Sequence, residues 1–302
     1  MLADVSSLAT AILLGSMRKK TAKKQVRLTI ASNAGGSGKT TLAVHLAYAV
    51  GLKGYKVTLI ELDQNASLRI FARLDSASYE ESVAAVLKKS FDGNYPLTPL
   101  WTNHVSTVTA IQGGKALEES IREVYLYDRR HYSLKDRLDD YPINSDLVIF
   151  DTPASLEPMG LLALAASTHV LVPIKPEYKD TGSFAGFLEW YYSKINDLRL
   201  KPEPQIMGFV PTRVDLYEVG THRDILGLDK KGKPRKDIDT SETLPALIEQ
   251  MGIRCFPYIR ESNYYIKACG VGLPLHLYRP GSNAVKDFNP IVNDLVKLMT
   301  EE

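Results

Sequence analysis

Apolar positions along the chain follow two rhythms. Val26–Ala31 is a continuous apolar run with β-branched residues, the mark of a strand covered on both faces. After a glycine-rich turn at 35–38, residues 40–53 carry Leu42, Leu46, Ala49 and Val50 at helical spacing, and Gly54 ends the repeat. Lys56–Leu62 returns to the strand rhythm. Strand, helix and strand in this order predict a βαβ unit with parallel strands and a right-handed crossover. Further strands are predicted at Val105–Ile111, Asp146–Phe150, His169–Ile174, Gln205–Pro211 and Ile253–Pro257. Helical patterns lie between most of them, at 78–90, 115–126, 158–166, 180–198, 243–251 and 284–300. The alternation predicts an α/β fold, a doubly wound and mostly parallel sheet with helices on both faces. With no internal repeat and no clean linker, residues 26–302 read as one domain behind a short basic extension, residues 1–25. The polar stretch Gly227–Ser241 reads as an inserted surface loop.

Composition narrows the function classes. In 302 residues, 44% are hydrophobic and 24% charged, which argues against wholesale disorder. The 37 basic and 35 acidic side chains leave a net charge of +2, so any polyanion binding must come from local clusters. Arg18–Lys24 and Lys230–Lys236 are such clusters, each with five cations in seven residues. Lys267, Arg279, Lys286 and Lys297 are further candidates. Cys255 and Cys269 are too few for a disulfide scaffold or a four-thiolate zinc site, and a reducing cytoplasm is expected. The six histidines show no metal-ligand spacing, and His45 is expected to be a packed, hydrogen-bonded residue. No apolar run approaches the roughly 20 residues of a membrane span.

The chemistry concentrates at Ala31-Ser32-Asn33-Ala34-Gly35-Gly36-Ser37-Gly38-Lys39-Thr40-Thr41, between a predicted strand and helix. Glycines let backbone N–H groups turn inward around phosphates, Lys39 reaches the β/γ oxygens, and the Thr40 hydroxyl is suited to ligate Mg²⁺. The segment reads as the phosphate loop of a P-loop NTPase, although Asn33 stands where the strict pattern has its first glycine. Two strands end in acids beside it, at Glu61-Leu62-Asp63-Gln64 and at Phe150-Asp151-Thr152-Pro153. Strand C-termini line the ligand crevice of a parallel sheet. Asp151 is therefore placed to hold the metal, directly or through water. Asp63 is placed to orient or activate the attacking water.

These segments together resemble the ParA/MinD group of deviant Walker-box ATPases. The resemblance extends through Val172-Pro173-Ile174-Lys175-Pro176-Glu177-Tyr178 and Gly272-Leu273-Pro274-Leu275 to Tyr278-Arg279-Pro280, and these last segments look like ParA more than MinD. It implies a protein that binds ATP and Mg²⁺ and closes into a homodimer with two nucleotides at the interface. It implies a dimer that coats DNA without sequence preference, hence a nucleoid-associated cytoplasmic protein. It also implies slow basal hydrolysis to ADP and phosphate, stimulated by a ParB-like partner on a plasmid or chromosome cargo. Nucleotide contacts are expected from Gly35 to Thr41. Metal contacts are expected from Thr40, Asp63 and Asp151. In the family, segments corresponding to Pro211-Thr212-Arg213 and Pro257-Tyr258-Ile259-Arg260 hold the base, so Arg213 or Tyr258 is expected to pack on adenine.

One departure stands out. The family's signature lysine precedes the paired glycines and reaches the partner's phosphates, and here that position is Ala34. Lys175 and Lys179, flanking Glu177 in a segment that faces nucleotide across the family's dimer, are the candidate replacements. McdA-type proteins, which position carboxysomes with an McdB-like partner, also lack this lysine, so organelle positioning is an alternative. Metal-cluster carriers and amide-forming relatives are less consistent with the late position of the two cysteines and the absence of a legible acid pocket. A MinD-like membrane cycle needs a basic amphipathic end, and residues 292–302 are amphipathic but acidic at the tip. No stable membrane association is expected.

Overall fold

The computed structural model describes residues 24–301. Its sheet has seven strands among the described residues: β1 (Val26–Ile30), β2 (Val57–Glu61), β3 (Thr98–Pro99), β4 (Val108–Ile111), β5 (Leu147–Asp151), β6 (His169–Ile174) and β7 (Gln205–Pro211). Their order across the sheet is β3-β4-β2-β5-β1-β6-β7. All pairings are parallel except the two-residue edge strand β3. β2 and β5 are buried at every position because helices cover both faces, which is why they read as unbroken apolar runs.

The helix Lys39–Gly51 packs on one face with the C-terminal helix Asn289–Thr300, around Leu42, Leu46, Ile291 and Leu295. The opposite face is covered by helices Val83–Leu87, Ala116–Val124, Ser133–Asp140 and Met159–Ala166. Beyond β6, the long helix Tyr178–Leu198 and the helix Leu244–Gln250 close a third apolar cluster.

Three expectations need correction. Ile253–Pro257 is not a strand. It runs beside β7 with a single bridge between Phe209 and Cys255, because Pro257 has no N–H with which to continue a ladder. The pattern at 284–300 splits into Asn283–Lys286 and Asn289–Thr300, with Pro290 in the first turn of the second helix, where its missing donor costs nothing. The 78–90 pattern yields only Val83–Leu87, started by Ser82, whose Oγ accepts the Ala84 N–H at 3.3 Å.

Candidate functional site

β1 and β5 run side by side in register, pairing Ile30 with Asp151, and β2 pairs Glu61 with Asp151 from the other side. The register brings the ends of three strands to one level at the C-terminal edge of the sheet. The chain leaving β1 forms the glycine-rich loop, in which Gly38 takes φ +83° immediately before the helix Lys39–Gly51. A side chain would be strained in that left-handed conformation.

Inside the loop, the Ser32 hydroxyl donates to Ser37 Oγ at 3.0 Å and accepts the Ala34 N–H at 3.2 Å. Thr212, just beyond β7, donates to the Ser37 carbonyl at 2.7 Å. These bonds use the loop's side chains and carbonyls. The N–H groups of Gly36 through Thr40 have no protein acceptor among the described residues. Open donors at a helix N-terminus form an anion cradle.

Lys39 is 8% exposed and folds back, donating to the carbonyls of Ala34 at 3.0 Å and Ser32 at 3.4 Å. Burial lowers its pKa, while the charges of Asp151 and Asp63 oppose the shift. Asp151 is 1% exposed, and neither carboxylate oxygen has a hydrogen-bond partner of normal geometry. Burial first, then the neighbouring Glu61, pushes its pKa up to about 8, against the opposing influence of the nearby Thr40 hydroxyl and Lys39.

Glu61 accepts the Leu68 N–H at 2.8 Å and the Gly113 N–H at 3.0 Å, and burial raises its pKa to about 7. At Gly113 a Cβ would lie 2.5 Å from the Asp63 carbonyl, so only glycine lets the chain after β4 approach this closely. Asp63 itself is oriented by the N–H and side-chain amide of Asn65, both at 2.9 Å from Oδ1.

An orphaned, buried carboxylate beside a threonine hydroxyl at a phosphate cradle fits a small divalent cation. Magnesium is typically held by one or two carboxylates together with phosphate oxygens and water. Among the described residues no group of three or more His, Cys, Asp or Glu could hold a metal alone.

The loop opens into a cleft of about 540 Å³, within the usual range for small-ligand sites. Gly36 through Thr41 and Asp63 line its phosphate end. Arg213 also lines it. Its guanidinium donates to the Gly36 carbonyl at 3.3 Å and pairs with Glu261 at 3.0 Å. The far end is walled by Phe71, Ile259, Tyr265 and Phe288, of which only Ile259 falls in a segment expected to hold the base.

Several predicted nucleotide contacts lie outside the cleft lining. Pro257 and Tyr258 do not line the cleft. The Ile259 N–H bonds to the Pro211 carbonyl, and Tyr258 packs against Val214, Leu216 and Leu226 instead. Lys175 is outside the cleft lining and pairs with Glu177, which is outside it too. The side chain of Lys179 lies outside the described residues.

His45 has the packed role expected of it. Its Nδ1 donates to the Thr41 carbonyl at 2.6 Å, its Nε2 accepts the Leu275 N–H at 3.0 Å, and its ring stacks on Phe288. Burial lowers its pKa to about 3, so it stays neutral.

Comparison with known proteins places this geometry. The family described as an AAA domain matches residues 26–201, more than half of the chain. The chain belongs to that family, as a ParA/MinD-type Walker ATPase. It is 30% identical over 197 residues to the chromosome-partitioning ATPase Soj of Thermus thermophilus, covering 63% of this chain and 70% of Soj. It is 24% identical over 248 residues to the maintenance of carboxysome distribution protein A of Synechococcus elongatus, covering 82% and 90% of the two chains. Among solved structures, an ATP complex of a Cyanothece McdA variant superposes with a TM-score of 0.73 at 23% identity, covering 91% of this chain and 97% of that one. That last likeness is one of fold.

Proposed function

We propose that this ATPase is a nucleotide-dependent positioning switch. In this reading it dimerises with ATP, binds DNA without sequence preference, and is released when a cargo-bound partner stimulates hydrolysis. The observation that carries the reading is the convergence of Lys39, Thr40, Asp63 and Asp151 on one cradle of open backbone donors. The N–H groups of Gly36 through Thr40 would bind the phosphates, and Lys39 would turn from the loop carbonyls toward the β/γ oxygens. Thr40 and Asp151 would hold magnesium, which neutralises charge developing on the transferred phosphoryl group. Asp63 would orient the water that adds to the γ-phosphorus as its bond to the β,γ-bridging oxygen breaks. Arg213, at the cleft wall, would pack on adenine.

Similarity to Soj supports partition of DNA as the task. The absence of the signature lysine at Ala34, with similarity to McdA over most of both chains, supports positioning of a protein assembly as a second reading. A membrane cycle is less well supported. Ile291, Val292, Leu295 and Met299 of the C-terminal helix are committed to the core, and no helix among the described residues is long and apolar enough to cross a membrane.

The test is binding to random-sequence duplex DNA with ATP, with ADP and without nucleotide, alongside Asp63→Ala. Binding that requires ATP and persists in Asp63→Ala supports the switch. Equal binding in all three states, or rapid ATP turnover without DNA or partner, would refute it.

A further inference from the structure

Two basic groups in the sequence have no place in the nucleotide site. Arg18–Lys23 lies outside the described residues, and the mostly exposed loop 230–236 does not line the cleft. Closer to the chemistry, one fully buried acid is also left without a task. Glu61 ends β2 beside Asp151, yet it does not line the cleft. Both of its carboxylate oxygens are committed to backbone donors from outside its strand. Oε1 accepts the Leu68 N–H at 2.8 Å, and Oε2 accepts the Gly113 N–H at 3.0 Å.

The Leu68 bond replaces a missing cap. The helix Ser67–Ala72 has six residues, and its N-cap position is Ala66, whose methyl group accepts nothing. Leu68 is the second residue of that helix, and its N–H is one of the first-turn donors that an N-cap side chain ordinarily takes. Glu61 takes it from the end of β2 instead. A helix this short does not stand alone in water, so its direction is set by what holds its ends. Ala66 enters it with φ +51°, a conformation that a residue with a side chain keeps only where its surroundings fix it.

The Gly113 bond fastens the same segment to the chain leaving β4. The next residue, Gly114, donates its N–H to the Asp63 carbonyl at 3.0 Å, and the Ala66 N–H reaches that carbonyl at 3.3 Å. Residues 61–68 therefore form a loop closed at its base by Glu61 and held at its middle through Asp63. Asp63, Asn65 and Ser67 of this loop, and Phe71 of the helix, line the cleft. A side chain that orients a reacting water must be held to within about 0.5 Å, and a displacement of about 1 Å can cost about 100-fold in rate.

We propose that Glu61 is a positioning residue for ATP hydrolysis, which caps the helix Ser67–Ala72 from β2, ties it to Gly113, and so holds Asp63 where the attacking water needs it. This rests on the reading of Asp63 as the residue that orients that water. Glutamine is not an equivalent here. It presents one acceptor oxygen and one NH₂ group, so one of the two backbone donors would face another donor. Alanine removes both bonds.

The experiment measures hydrolysis of Mg-ATP by the full chain, with protein in excess over nucleotide, alongside ATP affinity from a fluorescent nucleotide titration. The variants are Glu61→Gln, Glu61→Ala, Asp63→Ala and Ile248→Ala. The last opens a cavity in the apolar cluster beyond β6 and controls for lost stability alone. The rate of the bound nucleotide should fall about tenfold in Glu61→Gln and at least about thirtyfold in Glu61→Ala. ATP affinity should stay within about threefold of the parent in both, and Ile248→Ala should hydrolyse as the parent does. Amide exchange in the parent needs no variant to fold. The Leu68 N–H should exchange more slowly than that of Ser67, which has no acceptor among the described residues. Parent-like rates in both Glu61 variants, with Asp63→Ala impaired, overturn the proposal and leave the role of Asp63 standing. A parent-like rate in Asp63→Ala overturns both. A loss of ATP affinity as large as the loss of rate, an equal loss of rate in Ile248→Ala, or exchange at Leu68 as fast as at Ser67 makes Glu61 a structural residue only and also overturns it.

Discussion

Replacing Asp151 by asparagine should stabilise the nucleotide-free protein while removing its response to magnesium and ATP. The carboxyl is buried and unpartnered, and its pKa lies at about 8 against an ordinary 3.8. At pH 7 the unfolded chain carries this group ionised, whereas the folded chain must protonate it. The gap between pH 7 and 3.8 costs about 4 kcal/mol at 1.36 kcal/mol per unit, rising to about 6 kcal/mol above pH 8. The sign follows from proton counting. Between pH 4 and pH 8 the folded state binds the extra proton, so stability falls as pH rises. Glu61 shares the same desolvated space and part of the penalty, so a net gain of roughly 2–3 kcal/mol is expected for Asp151→Asn at pH 7. At about 2.1 cal/mol/K per residue, a chain of this length converts that to about 3–5 °C in Tm. The assay is thermal unfolding in EDTA at pH 6, 7 and 8, repeated with Mg-ATP. The variant's advantage should grow with pH and reverse with Mg-ATP, which stabilises only the parent. An unchanged or lower Tm at every pH in EDTA would refute the assignment of Asp151 as a destabilising buried acid.

Other consequences are simpler to test. Lys39→Ala should weaken ATP binding by at least about 100-fold with little loss of stability, since the ammonium is itself desolvated; a fluorescent nucleotide titration checks this, and parent-like affinity would sink the phosphate-cradle reading. Gly113→Ala should cost about 2–4 kcal/mol in chemical denaturation, because its methyl group meets the carbonyls of Asp63 and Glu61. His45→Ala should cost about 3 kcal/mol by leaving the Leu275 N–H unpaired beside a cavity. It should also flatten the loss of stability as pH falls from 6.5 toward 3, the window in which the unfolded chain takes up a proton that folded His45 refuses. A denaturation series against pH reads both effects.

The parts of the site legible in the sequence are those written in consecutive residues. Lys39 and Thr40 follow a glycine turn between a strand and a helix, and Asp63 and Asp151 close apolar runs, so local pattern and sheet logic locate all four. β6 and β7 were legible to the residue because their buried runs are bounded by polar segments. The rest depends on tertiary approach. Phe71, Tyr265 and Phe288 reach the cleft from three separate helical regions or their flanks, and nothing local marks them. Within Pro257-Tyr258-Ile259-Arg260 the sequence does not show which side chains face the cleft: Ile259 and Arg260 line it and Tyr258 does not. Glu61 stood in the quoted motif, yet its burial and paired N–H contacts emerge only when Leu68 and Gly113 close around it. β3, two residues long and ending in Pro99, carries too little pattern to be seen.

The position of β1 between β5 and β6 has a consequence for biosynthesis. The glycine loop emerges from the ribosome early, but the strands that flank its base are translated more than a hundred residues later. His45 finds Leu275 and Phe288 later still. At roughly 5–20 residues per second, several seconds to half a minute separate the loop from its supports. A nascent fragment therefore lacks the scaffold that holds the cradle in shape. The phosphate cradle is therefore among the first segments made and among the last to be held in place.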